Sequence, residues 1–302
     1  MYDYSGLIKD VVLPGIEDAR FYKPWDEFAA NFTEDNENPG GPTWRHTIKT
    51  SSTSTARNFT KADVDPQAGS FVSVEAYWNF IYQEAAAEVH EIDINQAKGR
   101  GMMAVEKLFT DAFEDAMNDL WALIFDDVYA QIKLDLTAAG TYSDAALNRS
   151  TYPVLAPYNE LTNTTITVPL VRNMQYNTQL NKTATGGNKA YTIMMEPAVL
   201  HAFRPQAALL HTWNETSEKA GYSAGYAPVA DFEGSKVTSP GGMTIGDVFF
   251  VRKPDVQIKK HMDLNVKEVT NTGRFSIKSI IRCGVNARVI NVGKQGMMTN
   301  KD

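Results

Sequence analysis

The chain has 302 residues, a mass of 33.5 kDa and a net charge of −7, with 43% apolar and 22% charged residues. This is the composition of a globular chain able to bury one large core or two modest ones, and not that of a disordered one. It excludes a generally basic nucleic-acid binder, and no apolar run approaches the roughly 18 residues of a membrane-crossing helix.

The first thirty residues are rich in Asp, Glu, Pro and aromatics and lack the basic and apolar stretches of a secretory signal. A lone Cys283 rules out an intrachain disulfide and fits a reducing cytoplasm. Charge is unevenly spread: residues 249–302 hold eleven basic and four acidic residues, a net of +7, which leaves −14 on residues 1–248. Such a chain can compensate its charge internally or present complementary faces to copies of itself.

Residues 1–43 read as an arm. Pro14, Pro24, Pro39 and Pro42, with Gly40 and Gly41, interrupt any periodicity. Leu13, Ile16, Phe21, Tyr22, Trp25, Phe28 and Phe32 nevertheless recur, which predicts an extended segment laid across a surface, its own or a neighbour's. Residues 44–82 read as a two-stranded excursion. A Ser/Thr-rich first strand over 45–59 meets turn residues at 63–69. Val72, Val74, Ala76, Trp78, Phe80 and Tyr82 then alternate with mostly polar partners. The first strand is poorly apolar, so the hairpin needs a partner surface. Residues 84–93 are ambiguous.

From Met102 to Leu136 apolar residues recur at spacings of three and four: Met102, Val105, Phe109, Ala112, Phe113, Ala116, Met117, Leu120, Trp121, Ile124, Val128 and Ile132. The pattern predicts a 35-residue helix, about 50 Å long at 1.5 Å per residue. Its exposed face is acidic, carrying Asp111, Glu114, Asp115, Asp119, Asp126 and Asp127. Sustained heptads are absent, so it reads as a spar organising a flat domain and not as a coiled coil.

Residues 150–240 read as a small α+β unit: a short strand at 166–171, a helix over 171–180, a strand at 191–194, a helix over 197–210, and loops at 182–188 and 214–228. Residues 241–302 are the clearest β region. Val256, Ile258, Met262, Leu264 and Val266 alternate along one strand. After a turn at 271–273, Phe275, Ile277, Ile281, Cys283, Val285, Ala287 and Val289 alternate along a second. The two make a long antiparallel pair with one buried face.

The chemistry is thin. Gly221-Tyr-Ser-Ala-Gly225 matches the nucleophile elbow, with Ser223 as nucleophile and Asp247 or Asp255, then His261, following in hydrolase order. The elbow needs an apolar strand before it and a helix after it. Here residues 213–220 are polar and Pro228 follows closely. His261 and Asp263 share one face of a strand, but two ligands are too few for a metal, and the other histidines are scattered. Residues 185–189 lack the spacing of a phosphate loop. No catalytic, metal or cofactor site emerges.

The order of parts carries more information than any motif. Leu170-Val-Arg-Asn-Met174 followed by Tyr191-Thr-Ile-Met-Met-Glu-Pro197, then Asp231 to Val237, Gly246 to Phe250, Pro254 to Ile258 and Arg282 to Val285, resembles the major capsid proteins of tailed bacteriophages with the HK97 fold. The resemblance implies an α+β capsid subunit. Residues 1–43 would be an N-terminal arm, 44–83 an extended hairpin (the E-loop), and 84–152 a peripheral domain with its spine helix. Residues 153–239 would be an axial domain, and 240–302 the peripheral-domain strands and C-terminus.

It further implies self-assembly into hexamers and pentamers of an icosahedral shell, enclosing double-stranded DNA without sequence-specific binding. The location would be the virion, with assembly in the host cytoplasm and no membrane. The arm begins near Met1, which implies a separate scaffolding protein, together with a portal and a decoration protein as further partners. Candidate intersubunit contacts are Phe21, Tyr22, Trp25, Phe28, Phe59, Lys61, Asp111, Glu114, Asp115 and Asp119. Deleting residues 1–40 is expected to block assembly while leaving a folded subunit. An encapsulin-like shell and a serine hydrolase using Ser223 are the alternatives.

Overall fold

Pro24 sits in the first turn of a seven-residue helix, α1 (Lys23–Ala29), where its missing N–H leaves no helical bond unmade. The structure is a computed structural model that describes residues 23–35, 43–52, 71–137, 160–162, 165–180, 192–211, 231–232, 235–270, 276–289 and 295–299. After α1 come β1 (Thr33–Asp35), β2 (Thr43–Ser52), β3 (Phe71–Asn79) and β4 (Tyr82–His90). Helices α2 (Glu91–Lys98) and α3 (Met102–Leu136) follow, then β5 (Glu160–Leu161), α4 (Val168–Leu180), β6 (Thr192–Met195) and α5 (Pro197–His211). The chain continues with β7 (Asp231–Phe232), β8 (Ser235–Thr238), β9 (Asp247–Val251), β10 (Val256–Thr270), β11 (Ser276–Val289) and β12 (Gly296–Thr299).

The described residues form three sheets. One has the strand order β1-β10-β11-β4, another the order β5-β12-β9-β6-β8-β7, and β2 with β3 forms a two-stranded ribbon. The β10–β11 pair is antiparallel as the alternation predicts, with register shifts on either side of Met262. Helix α3 spans the residues its periodicity marks. Gly101 ahead of it adopts φ +109, a backbone state that any Cβ would strain, and so separates α3 from α2.

Two apolar cores share one wall. Along β6 and β9, Met194, Phe249 and Val251 belong to the core under α3, while Ile193, Met195, Val248 and Phe250 belong to the core under α4 and α5. Successive strand residues point to opposite faces, so a strand buried on both sides reads as an unbroken apolar run. Asp247-Val-Phe-Phe-Val251 is buried throughout.

Several expectations need correction. The arm's Trp25, Phe28 and Phe32 are not laid on a neighbour: they are 0–2% exposed in the chain's own core. Trp25 meets Trp121 at 5.7 Å, and Phe28 packs edge-on against Phe125 at 5.1 Å. The alternating run 72–82 is two strands, broken at Phe80 and Ile81, and the ambiguous 84–93 resolves into β4 and α2. No strand forms at 166–171. Val168, Val171, Met174, Gln175 and Thr178 are buried at helical spacing, and burial of that stripe overrides the β preference of Ile-Thr-Val. Met102, expected in the buried stripe of α3, is 66% exposed.

Candidate assembly surfaces

The acidic face of α3 forms as the spacing predicts. Asp111, Asp115 and Asp119 are exposed and Glu114 is half-buried. None of the four has an ion-pair partner among the described residues. Between Lys107 and Lys133 the helix carries no basic residue. Asp111, Asp115 and Asp119 follow one another at i, i+4, where like charges destabilise a helix by about 0.2–0.5 kcal/mol per pair.

Of the other candidate contacts, Trp25 and Phe28 are spent inside the subunit. Phe21, Tyr22, Phe59 and Lys61 lie outside the described residues, as do Ser223 and its Gly-rich surroundings. The remaining residues of that catalytic reading have other work. Asp247 is fully buried. It accepts hydrogen bonds from the Tyr129 hydroxyl and, at 2.7 Å, from Lys133 Nζ. Burial first, then the bond to Asp247, holds the Tyr129 hydroxyl well above its ordinary pKa. Asp255 pairs with Arg252 at 3.3 Å and accepts from Gln295 at 3.2 Å. The His261 ring stacks on Phe80 at 4.3 Å. Among the described residues no three His, Cys, Asp or Glu side chains gather as a metal site would require, and no helix is long and apolar enough to cross a membrane.

The C-terminal turns of α3 are tied to the sheets by a second buried pair. Arg288 Nη1 donates to Asp135 Oδ1 at 3.1 Å, and the Val289 N–H donates to Oδ2 at 3.1 Å. Higher on the helix, Gln83 of β4 donates to Asp127 at 2.9 Å and accepts from the Val285 N–H of β11 at 3.3 Å. Helix α3 is therefore bonded to both large sheets, as a spar would be. Sequence reasoning missed these buried pairs, because Asp135 and Arg288 lie 153 positions apart with no local pattern linking them.

The surface also exposes Met103 at 85%, Ile245 at 74% and Ile92 at 68%, which sequence reasoning did not single out, and Tyr82 at 55%, which the alternation placed among the apolar residues of a half-buried strand. Three of the four body-sheet edges are short, being β1 at one end and β5 and β7 at the ends of the other sheet. The fourth edge, β4, is nine residues long.

No protein-family model matches the sequence, and no curated protein matches it. Solved structures do. The cyanophage A-1(L) capsid matches with a TM-score of 0.67 at 12% identity, over 95% of this chain and 95% of that one. The cyanophage Pam1 capsid matches with 0.63 at 12% identity, over 92% and 93%. A virus-like particle from Pyrococcus furiosus matches with 0.51 at 11% identity, over 98% and 100%. The chain has the mixed α+β, HK97-like fold of these capsid subunits.

Proposed function

We propose that this chain, built on the HK97-like fold, is a major capsid protein that self-assembles into pentamers and hexamers of an icosahedral shell around phage double-stranded DNA. The observation that carries the reading is the likeness to a phage capsid subunit over 95% of both chains. A likeness of that extent leaves little of the chain for another task. The proposal includes a segment plan: an arm in 1–43, an E-loop in 44–83 holding the β2–β3 ribbon, a peripheral domain in 84–152 and 240–302, and an axial domain in 153–239. The core under α4 and α5 supports the last of these.

In such a shell the work is done by surfaces. Heterologous contacts close into rings, and rings tile a shell. The acidic face of α3, whose Asp111, Glu114, Asp115 and Asp119 have no ion-pair partner among the described residues, suits a lining that does not hold DNA, or a basic partner such as a scaffolding protein. The likeness to a virus-like particle over all of that particle's subunit favours a second reading, an encapsulin-like compartment loaded with protein cargo.

Sedimentation of the recombinant chain tests the proposal. Species near 168 or 201 kDa, five or six times the 33.5 kDa chain, or much larger ones, support it. A species of 33.5 kDa at every concentration, with and without a scaffold, contradicts it. Nuclease-protected DNA inside assembled particles separates the phage reading from the compartment reading.

A further inference from the structure

We infer that His261 is a positioning residue for the β2–β3 ribbon. Bulged out of β10, its ring holds the link between β3 and β4 and so fixes the direction in which the ribbon leaves the body of the subunit. The inference concerns a single subunit and goes beyond the shell-forming reading without resting on it.

The ribbon has few supports of its own. Strands β2 and β3 pair only with each other among the described residues. Two links join them to the body. One is residues 36–42, which lie outside the described residues, and the other is Phe80 and Ile81, between β3 and β4. A link of two residues transmits direction, because each residue adds only two soft backbone dihedrals. Strand β4 is a firm base for it, paired with β11 from Tyr82↔Gly284 to His90↔Ser276.

Two rings at this link grip one imidazole. Phe80 is 7% exposed and stacks on His261, with centroids 4.3 Å apart and 17° between the planes. Tyr82 meets the same ring edge-on at 5.8 Å and 70°. Stacked and edge-on contacts are the arrangements that aromatic rings prefer. The residues on either side of Ile81 are thus pinned to a third strand, β10. The link cannot swivel without breaking a ring contact.

The sheet is shaped to allow this. From Lys260↔Val285 to Met262↔Gly284, β10 advances by two residues while β11 advances by one. His261 is the extra residue, and a bulge of this kind re-aims a side chain out of the regular alternation. Gly284 makes room for the edge-on ring. A Cβ there would lie 3.2 Å from Tyr82 Cδ1 and 3.4 Å from Met262 Cβ, so any side chain at 284 would crowd Tyr82. Among the described residues His261 Nδ1 is buried with no hydrogen-bond partner, so ring contact, and not that nitrogen, holds the imidazole. At the usual strength of an aromatic pair, each contact gives about a two- to tenfold preference for the held direction. A ribbon held in one direction has less freedom to lose when another molecule receives it.

Distances between spin labels on the full chain, at a concentration where no rings form, test this. Labels are placed at Ser51→Cys on β2 and at Asp119→Cys, exposed on α3. The native Cys283 is buried and takes no label. The doubly labelled chain should give one narrow distance distribution. His261→Ala should broaden or shift it, and His261→Phe, which keeps a ring and drops both nitrogens, should restore it. Tyr82→Ala, at a residue 55% exposed, removes the edge-on contact and should broaden it as well. A broad distribution before any of these substitutions overturns the inference. An unaltered one in His261→Ala overturns it too, as does a broad one that the phenylalanine variant leaves broad. Should His261→Ala fail to fold, Tyr82→Ala decides: broadening supports the clamp and an unaltered distribution contradicts it. All readings are taken on one subunit, so a chain that never assembles leaves them unaffected.

Discussion

Replacing Phe28 by alanine separates two accounts of the segment before residue 43. Phe28 is 0% exposed. Its ring lies 4.8 Å from Phe32, 5.1 Å from Phe125 and 5.9 Å from Tyr129, so it fastens α1 to the middle of α3. Truncating such a ring removes its transfer free energy and leaves a cavity, at a cost of about 3–5 kcal/mol. With an unfolding entropy near 2.1 cal/mol/K per residue over 302 residues, each kcal/mol is worth about 1.6 °C. The melting temperature of the unassembled subunit should therefore fall by about 5–8 °C. The assay is thermal unfolding at a concentration where no rings form. Asp119→Ala, on the exposed acidic face, serves as a control and should shift stability by no more than about 0.5 kcal/mol. An unchanged melting temperature for Phe28→Ala together with lost assembly would refute this reasoning and restore Phe28 to an intersubunit arm. The structure also revises the deletion of residues 1–40. That cut removes α1 with Trp25, Phe28 and Phe32, so the subunit should lose stability, whereas a cut ending at residue 22 spares α1.

Asp135→Asn removes the carboxylate that faces the Arg288 guanidinium, which is 8% exposed. It should cost about 3–5 kcal/mol, read as a lower guanidinium-chloride midpoint at unchanged slope, and a loss below about 1 kcal/mol contradicts a structural role for the pair. Asp115→Asn removes two like-charge i, i+4 contacts, with Asp111 and Asp119, and should stabilise the subunit by about 0.4–1 kcal/mol, measured in low salt. No gain would mean the carboxylates are compensated by groups not seen in one chain. Burial pushes the Cys283 thiol up to about 11, with a smaller lowering by Lys260. Folding then keeps the proton that the unfolded chain gives up, so stability is full below about pH 9 and falls as pH rises from about 9 toward 11. Cys283→Ala should show a smaller fall over that window in urea titrations, and equal slopes would remove the thiol from the account.

What could be read from the sequence was what repeats locally. The spar helix and the β10–β11 pair were visible because their periods, three to four and two, run for more than a dozen residues. Helix α1 was hidden by its length, since seven residues with a proline in the first turn give too few turns for a stripe to show. The break between β3 and β4 was hidden for the opposite reason: the alternation runs on through Phe80 and Ile81 even though the pairing partner changes. At 166–171 β-branched residues suggested a strand, and only the stripe from Val168 to Thr178 reveals the helix. The shared wall at β9 was invisible as such, because two-sided burial erases the alternation that marks a strand. For the candidate surfaces, the acidic face of α3 followed from helical spacing alone. The place of β4 at the edge of its sheet did not, because strand order is a property of the whole sheet.

Negative-stain microscopy of the purified chain, alone and with a candidate scaffolding protein, tests the central claim most directly. The account predicts uniform closed shells, or the five- and six-membered rings from which they are built. A chain that stays monomeric at high concentration and with scaffold would contradict it and return attention to the hydrolase reading of Ser223.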